Sequence, residues 1–406
     1  MTPTNDPYAS LEWQLRHHAV LDEVCELPPL SIFDEGVIGF LDQVSQRVLA
    51  SPLARQYPDL ASFAFICRRR NLQRLKSQYE SRGQRAFGRG VTLHFTPSNV
   101  PLNYAYSLYA GLLAGNVCLI RMSSRIFEQA TALNAILDAV LEDGAFEAVR
   151  RRIGIFRYEK DNALTERLSS RCDVRVIWGS DETIATIRRA PLPARAYDVT
   201  FADRFSIAVI DAAGYLTRDD AAAAARDFFN DTLFFDQNAC TSPRLVYWIG
   251  EEADIVRAQD RFWTAFETIC DQRAYANTGN LAVEKLLRQC MCAVELEGES
   301  VTAPGALVQR VSLREIPENL ERFTAPGGFF MEVCAPDVTG LGALRTRKLQ
   351  TITHLGCDGE ALVASLEGGA MLGLERVVPS GRAAEFSLQW DGYDLIGQMS
   401  KCVSVA

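Results

Sequence analysis

From Ser31 onward the apolar residues Val37, Phe40, Leu41, Val44, Val48 and Leu49 recur at three- and four-residue intervals, the spacing of an amphipathic helix. Asp34 stands just ahead of them, where a carboxylate satisfies free backbone amides and favours the helix dipole. A second helix is predicted from Leu60 to Tyr79. It carries the run Arg68, Arg69, Arg70, Arg74 and Lys76, which reads either as an anion site or as a solvated helix face. After Gly83 and Gly88 the texture changes. Val91-Thr-Leu-His-Phe95 is a short β-branched and aromatic run that ends in Thr96-Pro-Ser-Asn99-Val-Pro101. An apolar helix from Leu102 to Ala114, a Gly115-Asn116 stop and the run Val117-Cys-Leu-Ile120 follow. Strand, helix, stop and strand form a βαβ unit with a parallel sheet. The theme repeats with a helix over Phe127–Leu141, a strand over Ile153–Phe156, a polar helix and a strand over Val174–Trp178. Gly179-Ser180 then opens a helix at Asp181–Arg189, and a strand over Ser206–Ile210 closes the series. The prediction is an α/β, Rossmann-type doubly wound domain.

A second alternation starts at Thr217. An Ala-rich helix from Asp219 to Phe229 leads to the polar stretch Phe234-Phe-Asp-Gln-Asn-Ala-Cys240-Thr-Ser-Pro243 and a strand over Leu245–Trp248. Helices follow around Glu252–Gln272 and Ala282–Val294, then short strands past Gly327. This predicts a first domain over 1–210 and a second α/β domain over 211–385. The segment 386–406 then either returns to the first domain or serves an oligomer interface. The chain has no internal repeat and no low-complexity linker.

Composition narrows the classes. The chain of 406 residues is 48% hydrophobic and 23% charged, which describes a folded globular protein and excludes disorder for the whole. Its 42 Lys and Arg against 51 Asp and Glu give a net charge of -9. That excludes a broad nucleic-acid surface but leaves room for a local basic pocket. No run of apolar residues reaches membrane-spanning length, and the N-terminus lacks an apolar signal core, so the expectation is a cytoplasmic protein without a membrane span. The 11 cysteines read as thiols in that compartment. Cys290 and Cys292 are the only close pair and lack the further ligands of a zinc site, so no metal is expected.

Two residues stand out for chemistry. Cys240 lies on a polar turn between a helix and a strand, unlike Cys118 inside an apolar run. Such a turn exposes a thiol to attack a substrate, and peptide dipoles there favour the thiolate. Asn99 follows a predicted parallel strand, where open sheets form their crevices; its amide suits either an oxyanion donor or a turn.

Read together, these segments resemble the aldehyde dehydrogenase superfamily. Thr96-Pro-Ser-Asn99-Val-Pro101 is similar to its Pro-Trp-Asn-Phe-Pro loop, and Ala114-Gly115-Asn116 through Arg121-Met-Ser123-Ser124 is similar to its Ala-Gly-Asn and Lys-Pro-Ser-Glu. Trp178-Gly179-Ser180-Asp181 resembles its pyrophosphate turn, Gln237-Asn-Ala-Cys240 its nucleophile loop, and Glu332-Val-Cys-Ala-Pro336 its Glu-Ile-Phe-Gly-Pro. The closer resemblance is to the LuxC-like acyl-thioester (acyl-CoA) reductases. It rests on Phe234–Pro243, on Arg69-Arg-Asn-Leu72, on Gly373-Leu-Glu-Arg376-Val-Val-Pro379-Ser-Gly381-Arg and on Trp390-Asp-Gly392.

The resemblance implies reduction of an activated acyl group to an aldehyde through an S-acyl enzyme on Cys240, with Asn99 in the oxyanion hole. The implied acyl donor is a thioester of CoA or of a carrier protein, or an adenylate from an acyl synthetase, and the implied assembly is a homo-oligomer. It places cofactor contacts at Arg121, Ser123, Ser124, Arg125, Gly179, Ser180 and Glu332. Ser124 stands where NAD-preferring relatives carry a Glu, and Arg121 and Arg125 suit a 2′-phosphate, so NADPH is the expected cofactor. Thr200 stands where hydrolytic relatives carry the Glu that activates water, and a threonine cannot serve as that base; His94 and His354 are the substitutes in view. The alternatives are an aldehyde dehydrogenase that hydrolyses its acyl-enzyme, or a non-catalytic docking subunit of a multienzyme complex.

Overall fold

The computed structural model describes residues 8–17, 20–81, 83, 85–303, 305–344, 346–367 and 372–404. The chain forms two compact units. One runs to Ala202 and takes up the chain again from Ser387; the other is Asp203–Phe386.

In the first unit the strands are β1 (Glu12–Trp13), β2 (Arg85–Gly88), β3 (Val91–Phe95), β4 (Val117–Arg121), β5 (Ile153–Arg157), β6 (Val174–Trp178) and β7 (Tyr197–Phe201). All but β2 form one sheet in the order β1-β5-β4-β3-β6-β7, parallel throughout except for β1. All five residues of β3, of β5 and of β6 are buried. Strands covered on both faces read as apolar runs in this way. The chain winds from β3 outward to β5, then returns to β6 on the other side of β3. At such a reversal the carboxyl ends of the strands open a crevice.

The helix Glu35–Ala50 starts where Asp34 predicts, its carboxylate accepting the amides of Gly36 at 2.9 Å and Val37 at 3.3 Å. The helix expected over Leu60–Tyr79 is two, Pro58–Ile66 and Arg69–Glu80. Arg68 between them is extended, Asn71 Nδ2 donates to the Ile66 carbonyl at 2.8 Å, and the Arg69 amide donates to Asp42 at 2.8 Å. These polar contacts replace the helical bonds that a straight run would make. The basic run proves to be a surface face, with Arg69 paired to Glu35 and Asp42 and Lys76 paired to Glu35.

The second unit has β8 (Phe205–Asp211), β9 (Pro243–Ile249), β10 (Glu299–Ser300), β11 (Gln309–Leu313), β12 (Phe329–Ala335), β13 (Leu349–Leu355) and β14 (Arg376–Pro379). They form a sheet in the order β10-β11-β12-β9-β8-β13-β14, parallel except at β10. An aromatic cluster of Phe228, Trp248, Phe262, Trp263, Phe266 and Phe330 packs in one core, and Leu245, Met331, Val311 and Leu320 in another.

Here the structure corrects the sequence reading. The strand over Ser206–Ile210 does not close the first sheet; it is β8, central in the second, between β9 and β13. The first sheet is closed by β7, which pairs with β6. The unit boundary therefore falls at Asp203, ahead of the expected 211. Both runs are strand-like, and only the pairing partners decide which sheet each one joins.

The returning segment adds a hairpin of β15 (Gln389–Trp390) and β16 (Tyr393–Asp394), then β17 (Ser400–Val403), which pairs antiparallel with β2. Asn116 Nδ2 donates to the Met399 carbonyl at 2.8 Å, and Tyr79 Oη donates to Asp394 at 2.5 Å.

Candidate active site

The loop that carries Cys240 is held from both sides within the second unit. After the helix Ala221–Asp231 and one tight turn at Leu233–Phe235, Asp236 and Gln237 both adopt left-handed backbone, with φ of 52° and 56°. This conformation costs about 1–2 kcal/mol for an L-residue, and Asp tolerates it better than Gln. Gln237 is held there by its own side chain, which is fully buried. Its Oε1 accepts the amides of Gly328 at 2.7 Å and Phe329 at 3.1 Å. Its Nε2 donates to the carbonyls of Pro243 at 3.1 Å and Phe329 at 3.2 Å. One side chain thus clamps the start of β9 to the start of β12. Gly328 has φ 88°, and a Cβ there would approach the Leu307 carbonyl to 3.0 Å, so the clamp requires glycine. Lys285, buried, braces the same corner through the carbonyls of Leu307 at 2.7 Å and Gly327 at 3.0 Å. The Gly327 amide in turn donates to the Asp236 carbonyl at 3.0 Å.

Cys240 itself is half-buried. Its carbonyl accepts Ser206 Oγ at 2.8 Å, and that hydroxyl accepts the Thr351 amide at 3.2 Å. Its sulfur accepts Gln350 Nε2 at 3.3 Å. The register between β8 and β13 slips between Leu349 and Ile352. Such a bulge re-aims side chains, and Gln350 sits within it. Arg244, four residues past the thiol, donates to the Gln237 carbonyl. Burial lowers the Arg244 pKa to about 10, while Cys240 and then Glu284 act in the opposite direction. Sequence reasoning missed Ser206, Arg244 and Gln350. Arg244 was within sight of Cys240 along the chain, but nothing local marks Gln350.

His354 and His94 each have other partners. His354 is at the far end of β13 from Gln350, about 13 Å along the strand, with Nδ1 against the Cys357 carbonyl at 2.9 Å. His94 is fully buried between Ser107 Oγ at 2.7 Å and Thr92 Oγ1 at 2.8 Å. Burial pushes its pKa down to about 3, so it is neutral and both ring nitrogens are engaged. Thr200 lies within β7 of the first unit.

The other positions read from the sequence separate clearly. Asn99, exposed, follows β3, and Arg121, Ser123, Ser124 and Arg125 follow one another at the end of β4. Gly179 and Ser180 follow β6. All seven lie at or just past the carboxyl ends of strands in the first sheet. Arg121 stacks over Tyr158 at 5.3 Å and donates to its carbonyl at 3.3 Å. Arg157 Nε donates to the Ser123 carbonyl at 3.0 Å, and Ser124 and Arg125 are exposed. This cationic, carboxylate-free stretch fits a phosphorylated ribose. The turn after β6 fits a diphosphate less well. Ser180 Oγ caps its helix by accepting the Thr183 amide at 3.2 Å, and exposed Asp181 and Glu182 occupy the first turn, where carboxylates repel an anion.

Glu332 has partners of its own. It is 1% exposed, and its carboxylate is used up inside the second unit. Oε1 accepts the indole N–H groups of Trp248 and Trp263, each at 2.8 Å, and the Gln259 amide at 3.3 Å. Oε2 accepts Arg310 Nε at 2.8 Å. Glu332 therefore joins two strands and a helix of the second unit to β12. The motif spacing matched, but a strand interior and a strand end share that spacing.

Among the described residues, no group of three or more His, Cys, Asp or Glu is placed to hold a metal ion, and no helix is long and apolar enough to cross a membrane. A family model described as Acyl-CoA reductase (LuxC) matches residues 64–269, which includes the Cys240 loop, Asn99 and the end of β4. The chain belongs to the LuxC acyl-CoA reductase family. Curated relatives of this LuxC chain include the long-chain acyl-protein thioester reductase 2 of Photobacterium leiognathi, 31% identical over 42% of this chain and 34% of the relative. The long-chain acyl-protein thioester reductase of Aliivibrio fischeri is 30% identical over 40% of this chain and 33% of the relative. The matched stretch thus spans 34% and 33% of the length of these relatives.

The fold is that of aldehyde dehydrogenases. An indole-3-acetaldehyde dehydrogenase solved with NAD+ superposes with a TM-score of 0.64 at 12% identity, over 95% of this chain and 87% of that one. The lactaldehyde dehydrogenase of Escherichia coli gives 0.62 at 15% identity, over 95% and 88%.

Proposed function

We propose that this LuxC-family protein reduces an acyl thioester to the aldehyde through an S-acyl intermediate on Cys240, with NADPH as reductant. The observation that carries the reading is Cys240 itself, a half-buried thiol on a strained, clamped loop with a side-chain amide on its sulfur. Family membership and the names of the relatives, which act on long-chain acyl-protein thioesters, support the reaction class.

In this account the Cys240 sulfur attacks the thioester carbonyl. The oxyanion is stabilised by the Asn99 carboxamide and the Cys240 backbone amide, as preorganised donors do best. The carrier thiolate departs and the acyl group stays on sulfur. NADPH, when bound, supplies the hydride that the acyl carbon receives. The resulting hemithioacetal expels Cys240 as thiolate and releases aldehyde. Thr200 lacks the carboxylate of hydrolytic relatives, and His94 and His354 have partners of their own, which supports an acyl-enzyme that persists until it is reduced.

The test is aldehyde formation from acyl-CoA or acyl-carrier-protein with oxidation of NADPH. Carboxylate produced from aldehyde and NADP+ without CoA would instead identify a hydrolytic dehydrogenase. Asn99→Ala is expected to lower kcat by about 10²–10³, as loss of one oxyanion donor does; a near-normal rate in steady-state assays would leave Asn99 a turn residue.

Cofactor choice follows from the end of β4. Arg121 and Arg125 flank Ser123 and Ser124 in the chain, Arg157 donates to the Ser123 carbonyl, and guanidinium groups pair with phosphate bidentately. Ser124→Glu is expected to weaken NADPH binding about tenfold, or ~1.4 kcal/mol, and to leave NADH binding equal or better. Titration of nicotinamide fluorescence with each cofactor measures both; equal effects on the two would reject the assignment.

A further inference from the structure

We propose that the Arg244 guanidinium and the Gln350 carboxamide hold Cys240 as its thiolate, so that the nucleophile forms without a histidine or carboxylate base. The inference rests on the reading of Cys240 as nucleophile and adds the residues that prepare it.

The geometry is specific. Gln350 Nε2 lies 3.3 Å from the sulfur. A carboxamide N–H facing sulfur favours the charged form, because only the thiolate is a strong acceptor. Gln350 is buried on the β13 bulge, and its backbone carbonyl accepts the Glu375 amide at 2.9 Å, which fixes the main chain that carries the carboxamide. Arg244 is a half-buried cation that donates to a neutral carbonyl, that of Gln237. A partly desolvated cation gains from an anion beside it. The anions that raise its affinity for a proton are Cys240, in the larger part, and Glu284. Attraction between two groups is reciprocal, so Arg244 favours the thiolate as the thiolate favours Arg244.

The other charged groups on the surrounding elements have their own partners. Asp236, on the same loop, accepts Tyr275 Oη at 2.9 Å. Arg204, ahead of β8, pairs with Glu375 at 3.1 Å, and Lys348, ahead of β13, pairs with Glu321 at 2.9 Å. Lys285, on the helix Gly279–Glu295 with Glu284, is spent on backbone carbonyls. His354 stands at the opposite end of β13. In the activating step the Cys240 S–H bond breaks, the proton passes to water and the electron pair stays on sulfur.

The test is the pH dependence of Cys240 alkylation by iodoacetamide in the full chain, read by peptide mass so that the other ten thiols do not interfere. The wild-type midpoint is expected at least about one unit below the free-thiol value of ~8.5. Gln350→Met should raise it by about one unit, and the isosteric Gln350→Glu by more, since a carboxylate repels the thiolate. Arg244→Met should raise it likewise, with Arg244→Lys restoring most of the shift. A wild-type midpoint at 8.5 or above overturns the proposal, as does one that the two Gln350 variants leave unmoved while they unfold like wild type. Parallel incubation with acyl-CoA separates the two levels. An S-acyl adduct with an ordinary midpoint removes the thiolate assignment alone. A low midpoint with no adduct keeps the thiolate and removes the acyl-transfer reading.

Discussion

Cys240→Ala is expected to abolish aldehyde formation, with a fall of about 10⁴-fold or more, while the protein folds and binds cofactor as before. Removing a covalent nucleophile eliminates the acyl-enzyme route altogether, and the other groups that act with it cannot make up the loss. The structural reason for retained folding is that the backbone of Cys240, not its sulfur, ties the loop down. Its carbonyl receives Ser206 Oγ, and the clamp is built by Gln237. The sulfur makes a contact with Gln350 that alanine loses at small cost, because the site is only half-buried. Turnover, cofactor titration and thermal unfolding of the one variant check the three statements together. Turnover within tenfold of wild type would mean that another group accepts the acyl chain.

The second large effect concerns stability. Glu332→Ala is expected to cost about 3–5 kcal/mol of unfolding free energy, the range for removing one partner of a buried ion pair. The variant strands Arg310, 2.8 Å from the lost carboxylate, and two indole N–H groups in a buried core. Trp248 comes from β9 and Trp263 from the helix Glu252–Gln272, so the carboxylate joins strand, strand and helix. The Arg310 guanidinium also lies over the Trp263 ring at 4.8 Å, and its position depends on the same bond. Urea unfolding measures the loss. A ribose-binding glutamate would behave in the opposite way, with cofactor affinity lowered and the unfolding curve unmoved, so one pair of measurements decides between the two roles.

The contrast between Glu332 and Cys240 shows what a sequence of this kind exposes. Elements with strong local signals were readable. Asp34 capped its helix, and the apolar runs at Val91, Val117, Ile153 and Val174 became parallel strands. Cys240 stood out because a polar turn around a thiol is a local oddity. What failed depended on partners distant in the chain. The run at Ser206 is as strand-like as the run at Tyr197, and only sheet pairing assigns one to each unit. Glu332 sits in a matching motif, yet its partners Trp248, Trp263 and Arg310 are none of them adjacent to it in sequence. Gln350 reaches Cys240 from 110 positions away by way of a bulge. A bulge leaves no mark in a hydrophobic pattern, since it inserts one residue without changing composition. The helix break at Arg68 was hidden for a similar reason. Asn71 and Asp42 supply the polar contacts there, and Asp42 lies on a different helix.

The central claim is that the acyl group passes through the sulfur of Cys240. Intact-protein mass spectrometry after mixing the full chain with acyl-CoA, before and after NADPH is added, tests it most directly. The account predicts one added acyl mass per chain, localised by peptide mapping to Cys240, stable in buffer and discharged as aldehyde when NADPH arrives. An unmodified mass under turnover conditions, an adduct on another residue, or an adduct that water clears as fast as NADPH does would contradict it.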